Sequence, residues 1–424
     1  MHHYSKVVSE LFDLQKFAIK LGLGNIAKLN KYFADPFLKY PVIHIAGTNG
    51  KGSTAFYTAQ ILQACGLKVG LFTSPHLVDF RERIRINNSL ISEQSVIDFW
   101  NDTKNLVHKL KATFFDTTTM MAMKYFADEQ VDVAIFETGL GGRLDSTNIV
   151  KPFSIGLTPI AFDHQKHLGN TILAIAAEKA AIIKEHASVF SSQQSNEALA
   201  VIKKHLNYTN DFFYMPDLFD EIIIDQGLDK TSFLIKDTIN QKEFSFQIPT
   251  PADYQVKNIS LALALSRNFC MKNFIRLDMS DVQKILIKAS WPGRMQIIQK
   301  RPLIIMDVSH NYSGIETTLN SLSQFIKKES TDLLLGLVND KDIKLILNLL
   351  ANKFRKIIVT EPDTHRKQDG HTLMRLLKEE MQSVDFIKDL KAAFEVSKSE
   401  LKDDETLIIL GSHYLVGSLL QVDN

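Results

Sequence analysis

The chain has 424 residues, too many for one ordinary hydrophobic core, so two domains are expected. Apolar residues make up 45% and charged residues 23%, the balance of a globular protein rather than of a disordered or membrane-embedded one. A formal net charge of +1 gives no electrostatic case for a nucleic-acid surface or an anionic membrane, and the longest apolar runs fall far short of a bilayer span. The N-terminus reads as an amphipathic helix with charges spread through it, not as a secretory leader, which makes the cytoplasm the expected compartment. Cys65 and Cys270 lack metal-ligand spacing and sit in helix-like apolar patterns, as buried thiols of a reducing environment do.

Strand-like runs alternate with helical patterns over nearly the whole length, which predicts an α/β fold with a mostly parallel sheet. Strands are expected near 41–46, 68–73, 131–136, 153–158 and 187–191, with helices at 53–65, 93–110, 117–129 and 171–184. Residues 210–250 break the rhythm: Glu221 to Ile224, Ser232 to Ile235 and Glu243 to Ile248 read as short antiparallel strands beside the main sheet. A helix from about Asp253 to Met271 follows. The rigid turn Trp291-Pro-Gly-Arg294 reads as the joint between two domains, 1–294 and 295–424. Beyond it, strands at 303–307, 332–337, 356–360 and 406–410 alternate with helices at 314–327, 341–351, 370–382 and 388–401. The expectation is a P-loop-type, mostly parallel sheet with a side antiparallel sheet, followed by a smaller Rossmann-like α/β domain.

The stretch His44-Ile-Ala-Gly-Thr-Asn-Gly-Lys-Gly-Ser-Thr54 carries the strongest chemical signal. A strand, a glycine-rich turn and a helix start in that order make a phosphate cradle. Backbone N–H groups converge there, the helix N-terminus adds positive potential, and Lys51 supplies a mobile cation. The stretch departs from the strict G-x-x-x-x-G-K-[ST] pattern, with Ile45 at the first glycine position and Gly52 after the lysine. A nucleotide is the expected ligand.

Other polar clusters fall where strands end, the place that lines the ligand crevice in parallel sheets: Thr73-Ser74, Glu137, Asp163-His164, Asp307 and Ser412. Glu137 leaves a buried strand for a glycine-rich loop, and reads equally as a divalent-cation ligand or as a loop anchor. His164, a lone loop histidine, reads by itself as a hydrogen-bond partner. Arg81, Arg83 and Arg85 alternate with Glu82, Ile84 and Ile86, either as a solvated strand face or as a loop closing over anions. Lys179, spaced on one helix face with Ile183, reads by itself as a solvated charge.

Taken together, in order and over almost the full length, these motifs resemble the folylpolyglutamate synthase/dihydrofolate synthase family of Mur-ligase-like, ATP-dependent amide ligases. The resemblance runs through Phe17 to Leu23, Gly47 to Ser53, Thr73 to His76 with Arg81 to Arg83, and Glu137 to Asp145. It continues through Asp163-His164, Glu178-Lys179, Lys257-Asn258, Pro292-Gly-Arg294, Asp307-Val-Ser-His-Asn311 and Gly411-Ser412. It implies that Gly47, Thr48, Asn49, Gly50, Lys51, Gly52 and Ser53 cradle the phosphates of ATP, with Asn258, Arg294, Asp307 and His310 as further nucleotide contacts. It implies Ser74, Glu137 and His164 as ligands of Mg²⁺ at two sites, and Lys179 as a carbamylated lysine on the second ion. Lys51, Lys179 and His164 are thereby the expected catalytic residues. Substrate contacts are implied for Phe115, Asp116, Arg143, Asp145 and Ser412. Two departures stand out: Asp116 replaces a glutamate of the pterin-site stretch Thr113 to Thr119, and Ala180-Ala181 replaces Ala-Gly.

The implied reaction joins L-glutamate to a folate or dihydropteroate carboxylate through an acyl phosphate. Asp116 favours extension of folates over dihydrofolate synthesis. An amino-acid ligase of cell-wall precursor synthesis is the alternative; it would carry an added N-terminal domain, for which the residues before Tyr40 are too few. A nucleotide-binding regulator without catalysis would lack a metal ligand or the loop lysine, and here every matched position is filled. A monomer acting on small molecules, with no nucleic-acid or membrane partner, is expected.

Overall fold

The computed structural model describes residues 2–14, 22–339 and 343–421. Of the motif Phe17 to Leu23, residues 17–21 lie outside the described residues, as do 341 and 342 of the helix expected at 341–351.

The main sheet contains β1 (Val42–Ala46), β2 (Val69–Phe72), β3 (Ile84–Ile86), β4 (Ser89–Leu90), β5 (Val133–Glu137), β6 (Pro152–Leu157), β7 (Ser188–Ser191) and β8 (Phe212–Tyr214). Their order is β4-β3-β2-β5-β1-β6-β7-β8. Every pairing from β2 to β8 is parallel, and β3 and β4 add an antiparallel edge. All residues of β1 and β5 are buried, which explains why they are apolar but for His44 and the strand-end Glu137: helices cover both faces. Because β1 lies between β5 and β6 and all three are parallel, their carboxyl ends open onto one crevice. Ile45 pairs with Glu137 on one side, and Ala46 with Leu157 on the other.

Strands β9 (Phe219–Gln226), β10 (Thr231–Asp237) and β11 (Lys242–Ile248) form the side antiparallel sheet. A third sheet comprises β12 (Gln296–Lys300), β13 (Leu303–Met306), β14 (Thr331–Leu335), β15 (Lys356–Val359), β16 (Val384–Phe386) and β17 (Thr406–Leu410), in the order β12-β13-β17-β14-β15-β16. Only β12 runs antiparallel to its neighbour.

Helix Lys51–Ala64 is buried on almost every side, with Gly52 through Leu62 inaccessible. It packs on β1, β2 and β5 and on helix Gln255–Lys272. Small residues and hydroxyls make that possible: Gly52, Ser53, Thr54, Ala55, Thr58 and Ala59 keep it thin, and the Thr58 hydroxyl donates back to the Thr54 carbonyl at 2.7 Å. No helix among the described residues is long and apolar enough to cross a membrane.

Several expected elements are revised. The helix expected at 171–184 spans Ile172–Ala180, capped by the Thr171 side chain, so Lys179 lies in its last turn. The helix expected at 314–327 spans Tyr312–Leu322. Helices Asn196–His205, Met279–Leu286 and His413–Leu420 had no place in the sequence reading. Phe80–Arg83 is a single 3-10 turn, boxed by Asp79 and Glu82, and only Ile84–Ile86 is strand. The arginine row is therefore neither an even strand face nor solvated. Arg81 pairs with Asp79 at 2.6 Å, Arg83 is buried over the Phe114 ring, and Arg85 lies over Trp291.

Candidate active site

The chain leaves β1 through Gly47-Thr48-Asn49-Gly50 and enters helix Lys51–Ala64. Two of these positions require glycine. Gly47 has φ +150° and a Cβ there would collide with Thr158 beyond β6; Gly50 has φ +86° and a Cβ would strike the Asn258 side chain. Thr48 ties the loop down: its N–H donates to the Pro159 carbonyl at 2.9 Å, and its hydroxyl bridges the N–H and carbonyl of Ala161 at 3.0 Å. The first turn of the helix thus faces the crevice with unpaired N–H groups, the electropositive arrangement that receives phosphates.

Two lysines meet this loop. Lys51 curls back, its ammonium 3.0 Å from the Thr48 carbonyl. Lys179 reaches the loop from the opposite side and donates to the Gly47 carbonyl at 2.5 Å. Burial, reinforced by the Lys51 charge, brings the Lys179 amine down to about 7, so it is far more easily neutral than an ordinary lysine. It is 4% exposed. The solvated-charge reading of Lys179 is overturned by its place in the last helical turn, aimed inward.

Glu137 ends β5 directly beside the loop. A Cβ on Gly52 would lie 3.3 Å from its Oε2, and the Ser74 N–H donates to the same oxygen at 2.9 Å. Burial raises the affinity of this carboxylate for a proton, against the opposing pull of Lys51, the Ser74 N–H, Arg294 and Arg83. The crevice above is lined by Gly52, Ser74, Glu137, Arg85, Trp291 and Arg294. Trp291 stacks on Phe56 of the phosphate-loop helix, ring centres 4.6 Å apart.

A second cluster closes the crevice from the third-sheet side. Asn49 and Asn311 exchange side-chain hydrogen bonds, and Asn49 also donates to the Ser313 hydroxyl at 2.7 Å. Asn311 donates to Asp163 at 3.0 Å. Asp163 accepts the His164 N–H at 2.8 Å, and the His310 Nε2 is 3.7 Å from it. His164 itself has φ +49° at the head of a short helix. Among the described residues no three carboxylates, histidines or cysteines converge as a ready-made metal cage.

Residues 45–266 match the Mur ligase middle domain, and residues 293–413 match the glutamate ligase domain of Mur ligases. The chain is 31% identical over 427 residues to the dihydrofolate synthase/folylpolyglutamate synthase of Bacillus subtilis, covering 98% of each chain. It belongs to the folylpolyglutamate synthase/dihydrofolate synthase family. Among solved structures, Mycobacterium tuberculosis folylpolyglutamate synthase complexed with ADP superposes with a TM-score of 0.90 at 26% identity, covering 99% of this chain and 98% of that one. A folylpolyglutamate synthase–AMPPCP–folate complex superposes with a TM-score of 0.87 at 28% identity, covering 99% of both.

Within this member of the folylpolyglutamate synthase family, Gly52 of the loop, Ser74, Glu137 and Arg294 line one crevice, Lys179 is bonded to the loop at Gly47, and Asn258 stands against Gly50. Ser53 is buried in the first helical turn. Several other expected site residues also hold the surrounding loops in place. Both oxygens of Asp145 are taken: one accepts the N–H groups of Gly139 and Leu140 at 2.8 Å, the other the N–H and hydroxyl of Thr147. Asp116 closes a capping box with Thr113 and accepts the Ser146 hydroxyl at 2.7 Å. A glutamate would serve the same box position, so the box does not explain the aspartate. Asp307 is 2% exposed and accepts the Tyr254 hydroxyl and the N–H groups of Met295 and Ser309, which locks the joint. Ser412 caps helix His413–Leu420 by accepting the Leu415 N–H at 3.0 Å. Arg143 pairs with Glu178 at 2.8 Å and fastens the loop to the Lys179 helix. Phe115 packs against Gly139 and lies 5.8 Å from the Phe72 ring.

The sequence reading gave Asn311, Ser313, Asp163 and Tyr254 no individual roles. A signal existed for Asn311 alone, as an asparagine immediately before a helical pattern, which marks an N-cap.

Proposed function

We infer that this protein catalyses ATP-dependent ligation of L-glutamate to the carboxylate of a folate or pteroate, releasing ADP and phosphate. The observation that carries the reading is the phosphate loop with the buried Glu137 beside Gly52 in the crevice and the inward-facing Lys179 bonded to the same loop at Gly47. Family membership and neighbours complexed with ADP and with AMPPCP and folate support it. We take residues 1–294 as the ATP-binding unit and 295–424 as the ligase unit.

A carboxylate is a poor electrophile, and the first step asks it to attack the γ-phosphorus of ATP, anion against anion. The loop N–H groups hold the phosphates, and Lys51, released from the Thr48 carbonyl, offsets charge on the transferred group. Arg294 and Asn258 flank the same nucleotide, with His310 beyond. The acyl phosphate that forms is attacked by the neutral α-amino group of glutamate, and phosphate leaves. Mg²⁺ would supply Lewis-acid stabilisation of the phosphoryl oxygens. The buried Glu137, with Ser74 beside it, fits an ion that takes one or two carboxylates plus phosphate and water, and His164 is the further ligand that the family resemblance implies.

Lys179 suits carbamylation. CO₂ adds only to the neutral amine, forming an N–C bond and releasing one proton, and burial favours that form. The carbamate also turns the repulsion between Lys179 and Lys51 into attraction. The chain acts as a cytoplasmic monomer on small molecules.

The test is ADP release by purified protein with ATP, Mg²⁺ and L-glutamate, comparing dihydropteroate with tetrahydrofolate. Turnover that needs both glutamate and a pterin supports the reading, and faster turnover of tetrahydrofolate supports chain extension. A protein that binds ATP but turns over with neither pterin overturns it.

A further inference from the structure

The two cysteines of the chain stand 205 residues apart in sequence, yet the Cys270 thiol points at the Cys65 sulfur from 3.7 Å. Both are free. Cys65 is the C-cap of the phosphate-loop helix, and the turn beyond it passes through Gly66 at φ +82°. Cys270 lies in the last turn of helix Gln255–Lys272. The same two helices meet at their other ends, where Gly50 abuts Asn258. The expectation of two buried thiols holds for Cys270 and is corrected for Cys65, which is part-exposed.

We propose that Cys65 and Cys270 form a redox-active dithiol that hydrogen peroxide converts to an intramolecular disulfide, stapling the phosphate-loop helix to helix Gln255–Lys272. For the bond to form, the separation must shrink to about 2.05 Å. Cys65 is the attacking sulfur. It is the more exposed of the two, and the hydrogen bond received from Cys270 favours its thiolate, while the same bond and burial hold Cys270 protonated. The oxidant meets Cys65 at its part-exposed face, while the cleft lined by Asp237, Phe244, Arg267 and Met279 reaches only the resolving Cys270.

The Cys65 thiolate attacks one oxygen of the peroxide bond, forming the sulfenic acid; the departing hydroxide takes a proton and leaves as water. Cys270 then loses its proton, attacks the Cys65 sulfur, forms the S–S bond and expels the second water. Two thiols lose two electrons and two protons, and one peroxide becomes two waters. The staple sits at the far end of both helices from the phosphate loop, so it constrains unfolding of the helix pair without occupying the crevice.

The experiment treats the full chain with hydrogen peroxide, alkylates with N-ethylmaleimide and digests without reductant. The expected result is a linked Cys65–Cys270 peptide within one chain, two hydrogens lighter than the dithiol and restored by dithiothreitol. The oxidised protein should melt about 2–5 °C higher. In Cys270→Ser, which lacks the resolving thiol, dimedone should trap a sulfenic acid at Cys65; Cys65→Ser should show no such adduct at Cys270. Melting curves verify that both variants fold, and the wild-type crosslink stands without them. Two thiols that remain fully alkylatable after peroxide, or a crosslink found only between chains, overturn the proposal. An adduct at Cys270 in Cys65→Ser overturns the assignment of the attacking sulfur.

Discussion

The side-chain amides of Asn49 and Asn311 exchange hydrogen bonds, 3.2 Å from Asn49 Nδ2 to Asn311 Oδ1 and 3.0 Å in return. One belongs to the phosphate loop and the other caps helix Tyr312–Leu322 beside the third sheet, accepting the Gly314 N–H at 2.8 Å. The pair therefore reports whether the two halves of the crevice are engaged. A double-mutant cycle with Asn49→Ala and Asn311→Ala should give a coupling of about 0.5–1.5 kcal/mol in urea unfolding. Asn311→Ala alone should cost more, because it also removes a cap worth about 1 kcal/mol. Strictly additive losses would show that the amides do not act together.

Lys51→Ala should lower kcat for glutamate-dependent ADP release by at least about 10²-fold, the scale set by loss of one charge-stabilising group. Its circular-dichroism melt should change little, since among the described residues the ammonium makes one hydrogen bond, to Thr48, and its attraction to Glu137 is offset by its repulsion of Lys179. Normal turnover in a folded variant would remove the phosphate-loop assignment.

Lys179 makes a pH-dependent prediction. Its folded value, about 7, lies below the ordinary 10.5, so between those limits the unfolded chain holds a proton that the folded chain has released. Stability should rise with pH across that window, with the full penalty present below about 7. Lys179→Met should flatten the slope, measured by urea unfolding at several pH values. Over the same range, bicarbonate should restore activity to CO₂-depleted protein, and should fail to do so in acid, where the amine is protonated. Identical slopes in the two proteins would argue that Lys179 is not the group responsible.

Asp145→Ala should destabilise the protein by about 3–5 kcal/mol, because it strands the donors of Gly139, Leu140 and Thr147 in a buried loop. A raised KM with unchanged stability would instead restore the substrate contact that the sequence suggests.

The sequence by itself determined the α/β alternation, because buried parallel strands are written as nearly unbroken apolar runs and their covering helices as periodic ones. It also determined the phosphate loop, since Gly47 and Gly50 permit the positive φ of the turn, whereas Thr158 and Asn258, which stand against them, are brought there by the fold. It marked Glu137 as a strand-end carboxylate without deciding its use. Tertiary structure decided the rest. Asp116, Asp145, Asp307 and Ser412 occupy motif positions, yet each spends its oxygens on nearby N–H or hydroxyl donors, a commitment that shows only once the loops are folded. Lys179 reads as a solvated charge until its helix is set against the phosphate loop, and burial then makes it a near-neutral amine. Cys65 and Cys270, like Asn49 and Asn311, are pairs that no local pattern encodes, because the packing of two helices and the meeting of two α/β units bring them together. Local backbone demands are written in the residues that meet them, whereas proximity across hundreds of residues is a property of the packed fold.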